Sequence, residues 1–123
     1  MLKTLLIIGF GGAIGSMLRF LTTVLVQKWW PGQFPLATFI ANVVGCFLIG
    51  LFIGLLEKHQ LGSPEWKWFL ITGFCGGYTT FSAFGYENFS LLQNNSLMAF
   101  GSIALSVVIG IMAVWFGLFI AKL

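Results

Sequence analysis

The chain has 123 residues, of which 59% are hydrophobic and only 7% are charged. A soluble domain carries charge on about a quarter of its residues, so this composition excludes a water-exposed surface and predicts a protein that lies in lipid. The net charge is +3 at pH 7, but the basic residues are scattered, which argues against a nucleic-acid partner. The length suits one domain over residues 1–123.

Four apolar segments follow one another along the chain, each close to the length of about 20 residues that a helix needs to cross the hydrocarbon core. Polar stretches with proline, glycine or charge separate them, and tryptophans lie at the segment ends, as in the headgroup layer. The predicted spans are residues 2–26, 34–56, 66–92 and 97–121. The sequence therefore predicts an all-α integral membrane protein with four transmembrane helices.

In the first span, Gly11 and Gly15 have the small-residue spacing that packs membrane helices, and Gly50 and Gly54 repeat it in the second span. From these glycines we expect self-association. Arg19 lies near the end of the first span, and two interpretations stay open. Its stem reaches the interface so that the charge stays in water, or it is a fixed positive charge that attracts anions at a vestibule.

Asn42 lies near the middle of the second span, and Thr38 lies one turn earlier on the same helix face. A side-chain amide offers both hydrogen-bond donors and acceptors. It can line a polar path for a small solute or form a hydrogen bond between helices, and position alone does not separate these two interpretations. Cys46 and Cys75 lie in apolar segments and are interpreted as small buried hydrophobic residues.

The third span contains the stretch GFCGGYTTFSAFGYEN, in which Gly73, Gly76 and Gly77 weaken the helix. A helix broken in mid-membrane frees backbone N–H and C=O groups, which is tolerated only where they line a cavity, meet another chain or bind an ion. Freed carbonyls near residues 76–80 suit a hard cation, and the positive end of a new helix starting near Thr80 suits an anion. A glycine kink packed against a neighbouring helix is the alternative.

Phe81 and Phe84 are three residues apart and share a helix face, and Glu87 extends the same row. The edge of a phenyl ring is electropositive, so two such edges can hold a small anion; packing against lipid or the core is the other interpretation. No Asp or Glu precedes Glu57. This scarcity of acidic residues in the spans disfavours a cation pathway and a proton-driven exporter.

The stretches GGAIGSMLR (11–19), TFIANVVGCFLIG (38–50) and GFCGGYTTFSAFGYE (73–87) together resemble the Fluc/CrcB family of fluoride channels, and the resemblance covers nearly the whole chain. It implies a fluoride-selective channel for passive fluoride export, which lowers cytoplasmic fluoride, and no enzymatic activity. It also implies an antiparallel, dual-topology homodimer that forms two pores in the bilayer of the bacterial inner membrane, as a multi-pass protein.

The resemblance also implies roles for individual residues. The backbone carbonyls of Gly76 and Thr79, with the same pair from the second subunit, would hold a structural sodium ion (Na+) that is not transported. Asn42 would face the pore, and Phe81 and Phe84 would coordinate fluoride. The other matched positions on the fluoride path are Thr38, Thr80, Ser82 and Glu87. Arg19 matches the family arginine, and whether it steers anions or holds structure stays open.

Two other classes of protein remain as alternatives. Small multidrug-resistance exporters for cations are also four-span, dual-topology dimers, but they depend on a glutamate in the first span, which this chain lacks. A structural or assembly subunit without transport is the third possibility. It predicts no ion flux and a stable complex with another protein.

Overall fold

A computed structural model describes residues 1–60 and 62–123, and all regular elements in this part of the chain are helical. In chain order the elements are α1 (Leu2–Gln27), α2 (Leu36–Lys58), α3 (Pro64–Lys67), a π-helical segment (Trp68–Cys75), α4 (Gly76–Tyr78), α5 (Phe81–Asn94) and α6 (Ser96–Lys122). The predicted all-α fold is confirmed. Three helices, α1, α2 and α6, are long and apolar enough to cross a membrane.

The helix starts follow from local chemistry. Pro35 precedes α2, and Pro64 occupies the first position of α3, where a missing N–H group costs nothing. Asn95 caps α6, since its Oδ1 accepts a hydrogen bond from the Met98 N–H at 3.2 Å. These caps and prolines place the ends of α1, α2 and α6 within one or two residues of the bounds expected from hydropathy.

The region predicted as the third span, residues 66–92, consists of consecutive helical pieces with different geometry. Helix α3 passes into the π-helical segment, which leads into α4. After α4, Thr79 (φ −79°, ψ 158°) and Thr80 (φ −148°, ψ 115°) are extended, and α5 starts at Phe81. The backbone around Thr79 and Thr80 therefore cannot form a continuous ladder of helical hydrogen bonds.

Helix α1 packs against the π-helical segment and α4, and its glycines bring the two backbones into direct contact. A Cβ atom on Gly11 would lie 2.5 Å from the Phe69 carbonyl oxygen, and one on Gly77 would lie 2.5 Å from the Gly12 carbonyl oxygen. Only glycine permits this approach, because any side chain would displace the neighbouring backbone. The first span is thus held directly against the segment that precedes the extended residues.

Helices α2 and α6 form the other closely packed pair. A Cβ atom on Gly50 would collide with the Val114 carbonyl, and one on Gly117 would collide with the Phe47 carbonyl. Together with Gly11, the glycines expected to pack helices therefore do so against other helices of the same chain. They are buried within the protomer, so self-association requires a different surface.

The outer faces of α1 and α6 carry large exposed apolar side chains, among them Phe10 and Trp115. An apolar exterior suits a helix bundle surrounded by lipid. An ion pair between Lys3 and Glu65 joins the start of α1 to the start of α3. These two helices therefore begin at the same end of the bundle, as expected for spans separated by one return crossing.

Candidate functional site

The extended residues between α4 and α5 are held by Asn42 from α2. The Asn42 Oδ1 atom accepts a hydrogen bond from the Thr80 N–H at 2.7 Å, and the Asn42 Nδ2 atom donates to the Thr80 carbonyl at 3.2 Å. Thr80 is buried, so water does not satisfy these groups. Asn42 therefore forms an interhelical hydrogen-bond pair, and its amide still has one free hydrogen for a further acceptor.

Arg19 of α1 reaches the end of α4. Its Nε atom donates a hydrogen bond to the Gly77 carbonyl oxygen at 3.2 Å. Within residues 1–60 and 62–123 the side chain makes no ion pair. Beside it, the hydroxyl groups of Thr22 and Tyr78 lie 2.9 Å apart and share a hydrogen bond. Side chains of α1 thus contact α4 at two adjacent positions.

The carbonyls of residues 76–79 at this break lose the helical donors they would have in a continuous helix. The Thr80 N–H bonds Asn42 instead of the Gly76 carbonyl. The Ala83 N–H bonds the Thr80 Oγ1 atom at 3.2 Å, as in a helix N-cap, instead of the Thr79 carbonyl. The carbonyls of Gly76 and Thr79 therefore lack the helical donors that a continuous helix would supply.

These groups border a cavity of about 310 Å³ between α2 and the third span. Its lining includes Asn42, Gly76, Thr79 and Phe81. In the part of the chain that the structure describes, no three His, Cys, Asp or Glu side chains group together as metal ligands.

The two phenylalanines of α5 lie side by side, as their spacing predicts. The ring centroids of Phe81 and Phe84 are 5.7 Å apart, and the ring planes are inclined by 35°. Phe84 is half-buried, whereas 85% of the Phe81 surface is exposed. The ring of Phe81 therefore points away from the core of its own chain.

Glu87 forms a hydrogen bond to α2. Its Oε1 atom accepts a hydrogen bond from the Thr38 hydroxyl at 2.9 Å, and its Oε2 atom is buried with no partner in the described residues. Both residues border a second cavity, of about 480 Å³, near the last turns of α1 and the start of α2. Ser82 lies elsewhere: it is exposed, and its Oγ atom is 3.3 Å from the Thr80 Oγ1 atom.

The candidate residues therefore fall into two groups, one around Thr80 and one around Glu87, which α2 connects because Asn42 and Thr38 are one turn apart. Two polar contacts were not expected from the sequence. One is the Thr22–Tyr78 pair, for which the signal was the position of Thr22 one turn after Arg19. The other is the buried Asn88, whose Nδ2 atom donates to the Phe84 carbonyl at 2.8 Å.

Comparison with known proteins gives a family match over most of the chain. A family model described as CrcB-like protein, Camphor Resistance (CrcB), matches residues 6–118. The chain belongs to the CrcB family. The resemblance noted from the three sequence motifs is thereby confirmed.

Curated relatives of this CrcB-family chain are named Fluoride-specific ion channel FluC. The protein of Flavobacterium psychrophilum is 57% identical over 122 residues, which cover 98% of each chain. That of Campylobacter jejuni is 44% identical over 123 residues, which cover 99% of this chain and 100% of the relative. That of Leptospira interrogans is 43% identical over 125 residues, which cover 98% and 95%.

These relatives bear on the other expectations as well. They are named as ion channels, so the expectation that the chain is not an enzyme is confirmed by its family. The same names give no support to a small multidrug exporter. With three helices long and apolar enough to cross a membrane, a multi-pass membrane location fits the chain.

Proposed function

We propose that this chain is a fluoride-selective channel of the bacterial inner membrane, through which fluoride leaves the cytoplasm passively so that cytoplasmic fluoride falls. The observation that carries this proposal is the 57% identity, over almost the entire chain, to a protein named as a fluoride-specific ion channel. The local geometry supports it, since polar groups converge where α4 and α5 are separated by extended backbone.

Fluoride must be compensated for the water it loses on entering the membrane, because burial of an isolated ion costs tens of kcal/mol. The groups around Thr80 provide donors without a full positive charge that would trap the ion. Asn42 has a free amide hydrogen, Ser82 has a hydroxyl, and Phe81 and Phe84 present electropositive ring edges. Thr38 and Glu87 extend this path toward one membrane face in our proposal.

The working unit is an antiparallel homodimer. Gly76 and Ser82 are exposed on the protomer, and so is most of Phe81. Exposed carbonyls at membrane depth cannot face lipid, and we place the break between α4 and α5 at that depth. A second copy covers this surface and brings the exposed Phe81 ring to a pore. Both insertion directions are accessible because the lysine and arginine bias between the two faces is weak.

A structural sodium ion fits the centre of this dimer. The carbonyls of Gly76 and Thr79 lack their helical donors, because Thr80 and Ala83 bond elsewhere, and hard cations prefer such oxygen ligands. The same carbonyls from both subunits would hold the ion. When bound, sodium supplies the positive charge that keeps these carbonyl dipoles together across the interface.

Fluoride efflux from liposomes that contain the purified protein tests the function. We expect rapid fluoride efflux, measured with a fluoride electrode, and no comparable efflux of chloride. The variant Phe81→Ile should suppress efflux while the dimer remains intact in size-exclusion chromatography. Phe89→Ile is the matched control, because Phe89 is another exposed phenylalanine of α5 and should leave efflux unchanged. Absent efflux in the wild type, or equal chloride flux, would refute the proposal.

A further inference from the structure

One face of α1 carries a series of residues that all contact the third span. Gly11, Gly15, Arg19 and Thr22 are spaced by four, four and three residues, which places them in a row along a helix. The two glycines bring the α1 backbone against the π-helical segment and α4, since a Cβ on either would collide with carbonyls of that span. Arg19 and Thr22 continue the row at the end of α4.

At the end of α4, backbone carbonyl groups need hydrogen-bond donors from outside the helix. The last carbonyls of any helix have no intrahelical donor, and in a buried site an unpaired carbonyl is costly. In a continuous helix the Gly77 carbonyl would pair with the N–H of Phe81; here it accepts the Arg19 Nε hydrogen at 3.2 Å. The carbonyls of Gly76 and Thr79, on either side of it in the chain, have lost their helical donors to other contacts.

We propose that Arg19 is a positioning residue for the cation site: its Nε–H occupies the Gly77 carbonyl and so leaves the Gly76 and Thr79 carbonyls for the ion. The inference rests on the sodium site of the proposed function. The hydrogen bond between Thr22 and Tyr78, 2.9 Å long, fixes α4 to α1 at the adjacent residue. Arg19 thus acts through a hydrogen bond to the backbone and not through its charge on an anion.

Two substitutions separate the hydrogen bond from the charge. Glutamine has an N–H donor, Nε2, the same number of bonds from Cα as the Nε atom of arginine, so Arg19→Gln keeps the donor and removes the charge. Lysine has a methylene group at that position, so Arg19→Lys keeps the charge and moves the N–H donors one bond beyond the place of the Arg19 Nε atom. Lys28→Gln is the control for loss of one positive charge, because Lys28 is exposed at the end of α1.

The readout is the sodium concentration that half-maximally stabilises the purified dimer against unfolding in detergent, measured without fluoride, because a ligand that binds only the folded state stabilises it. We expect Arg19→Gln and Lys28→Gln to remain within about threefold of the wild type. Arg19→Lys should raise this concentration by about tenfold, as the loss of one part-buried hydrogen bond to the Gly77 carbonyl implies. Fluoride efflux from liposomes is measured on the same proteins.

A second variant keeps the test decisive if Arg19 variants fail to fold. Tyr78→Phe removes the hydroxyl group that bonds Thr22, and we expect it to raise the half-maximal sodium concentration by about threefold. An unchanged concentration would show that the contact between α1 and α4 does not support the cation site. The opposite order, with Arg19→Lys like the wild type and Arg19→Gln impaired, overturns the inference and assigns the residue to anion attraction.

The same measurements distinguish failure of this inference from failure of the proposed function. A wild type that conducts fluoride without any stabilisation by sodium overturns the sodium site, and the role of Arg19 with it, while the channel stands. A wild type that is stabilised by sodium but passes no fluoride overturns the channel. The comparison of Arg19→Gln with Arg19→Lys then still decides what Arg19 does.

Discussion

Replacement of Asn42 by leucine, which has a similar size, removes both hydrogen bonds that hold the Thr80 peptide, at 2.7 and 3.2 Å. The Thr80 N–H is then left unpaired in a residue that is only 8% exposed, whereas the Thr80 carbonyl, as the N-cap carbonyl, still accepts the first helical hydrogen bond of α5. Each unpaired buried group costs about 1–3 kcal/mol. With one such group, we expect Asn42→Leu to lower the free energy of unfolding by about 1–3 kcal/mol.

Unfolding by titration with a denaturing detergent, followed by circular dichroism, measures this loss. Asn42→Asp keeps the acceptor for the Thr80 N–H but not the donor to its carbonyl, so its loss should be smaller than that of leucine. Asn94→Leu is the matched control, since the Asn94 amide donates only to the exposed Ser90 carbonyl at 3.0 Å, and its effect should be within about 0.5 kcal/mol. If Asn42→Leu were as stable as this control, the assignment of Asn42 as the support of the break would be wrong.

Three further substitutions test other contacts. Gly117→Ala places a methyl group against an α2 carbonyl and should destabilise the protein by about 1–3 kcal/mol. Its control is Gly101→Ala, whose methyl group would meet nothing within 4 Å and should leave the stability unchanged or raise it by up to about 1 kcal/mol. Equal effects of the two substitutions would contradict the packing of α2 on α6. Thr38→Val leaves the Glu87 carboxyl without its 2.9 Å partner and should slow fluoride efflux about tenfold in liposomes, and unchanged efflux would remove this contact from the path. Glu65→Gln breaks the exposed ion pair with Lys3, so the free energy of unfolding should change by less than about 1 kcal/mol at low salt and not at all at high salt. A larger loss of stability would contradict the assignment of this pair as a weak surface interaction.

The ends of α1, α2 and α6 could be predicted closely because hydropathy, proline and capping residues act locally. The sequence also pointed to Gly76, Gly77 and Thr80 as the place where helical hydrogen bonding fails. What could not be predicted is which distant group satisfies each freed backbone atom. Because Asn42 and Arg19 lie in apolar segments, the sequence shows that their side chains need hydrogen-bond partners. Which groups serve as partners depends on how the helices pack in three dimensions.

Small-residue spacing has a similar limit. Gly11 and Gly50 were expected to mediate close helix packing, and they do, but the spacing is the same whether the partner helix belongs to the same chain or to another copy. The sequence therefore predicted the kind of contact and not its partner. Likewise the spacing of Phe81 and Phe84 predicts a shared face, while the direction of that face depends on the rotation of α5 in the bundle.

The extended residues Thr79 and Thr80 also bear on how the protein enters the membrane during synthesis. Helix α5 has 14 residues, fewer than the roughly 20 that let a segment partition into the bilayer by itself. If only α1, α2 and α6 entered independently, α6 would cross in the direction opposite to the one it has in the folded bundle. In the four-span topology that we propose, the segment that contains α5 would therefore enter the membrane together with the neighbours that receive its open backbone, which would couple its insertion to its folding.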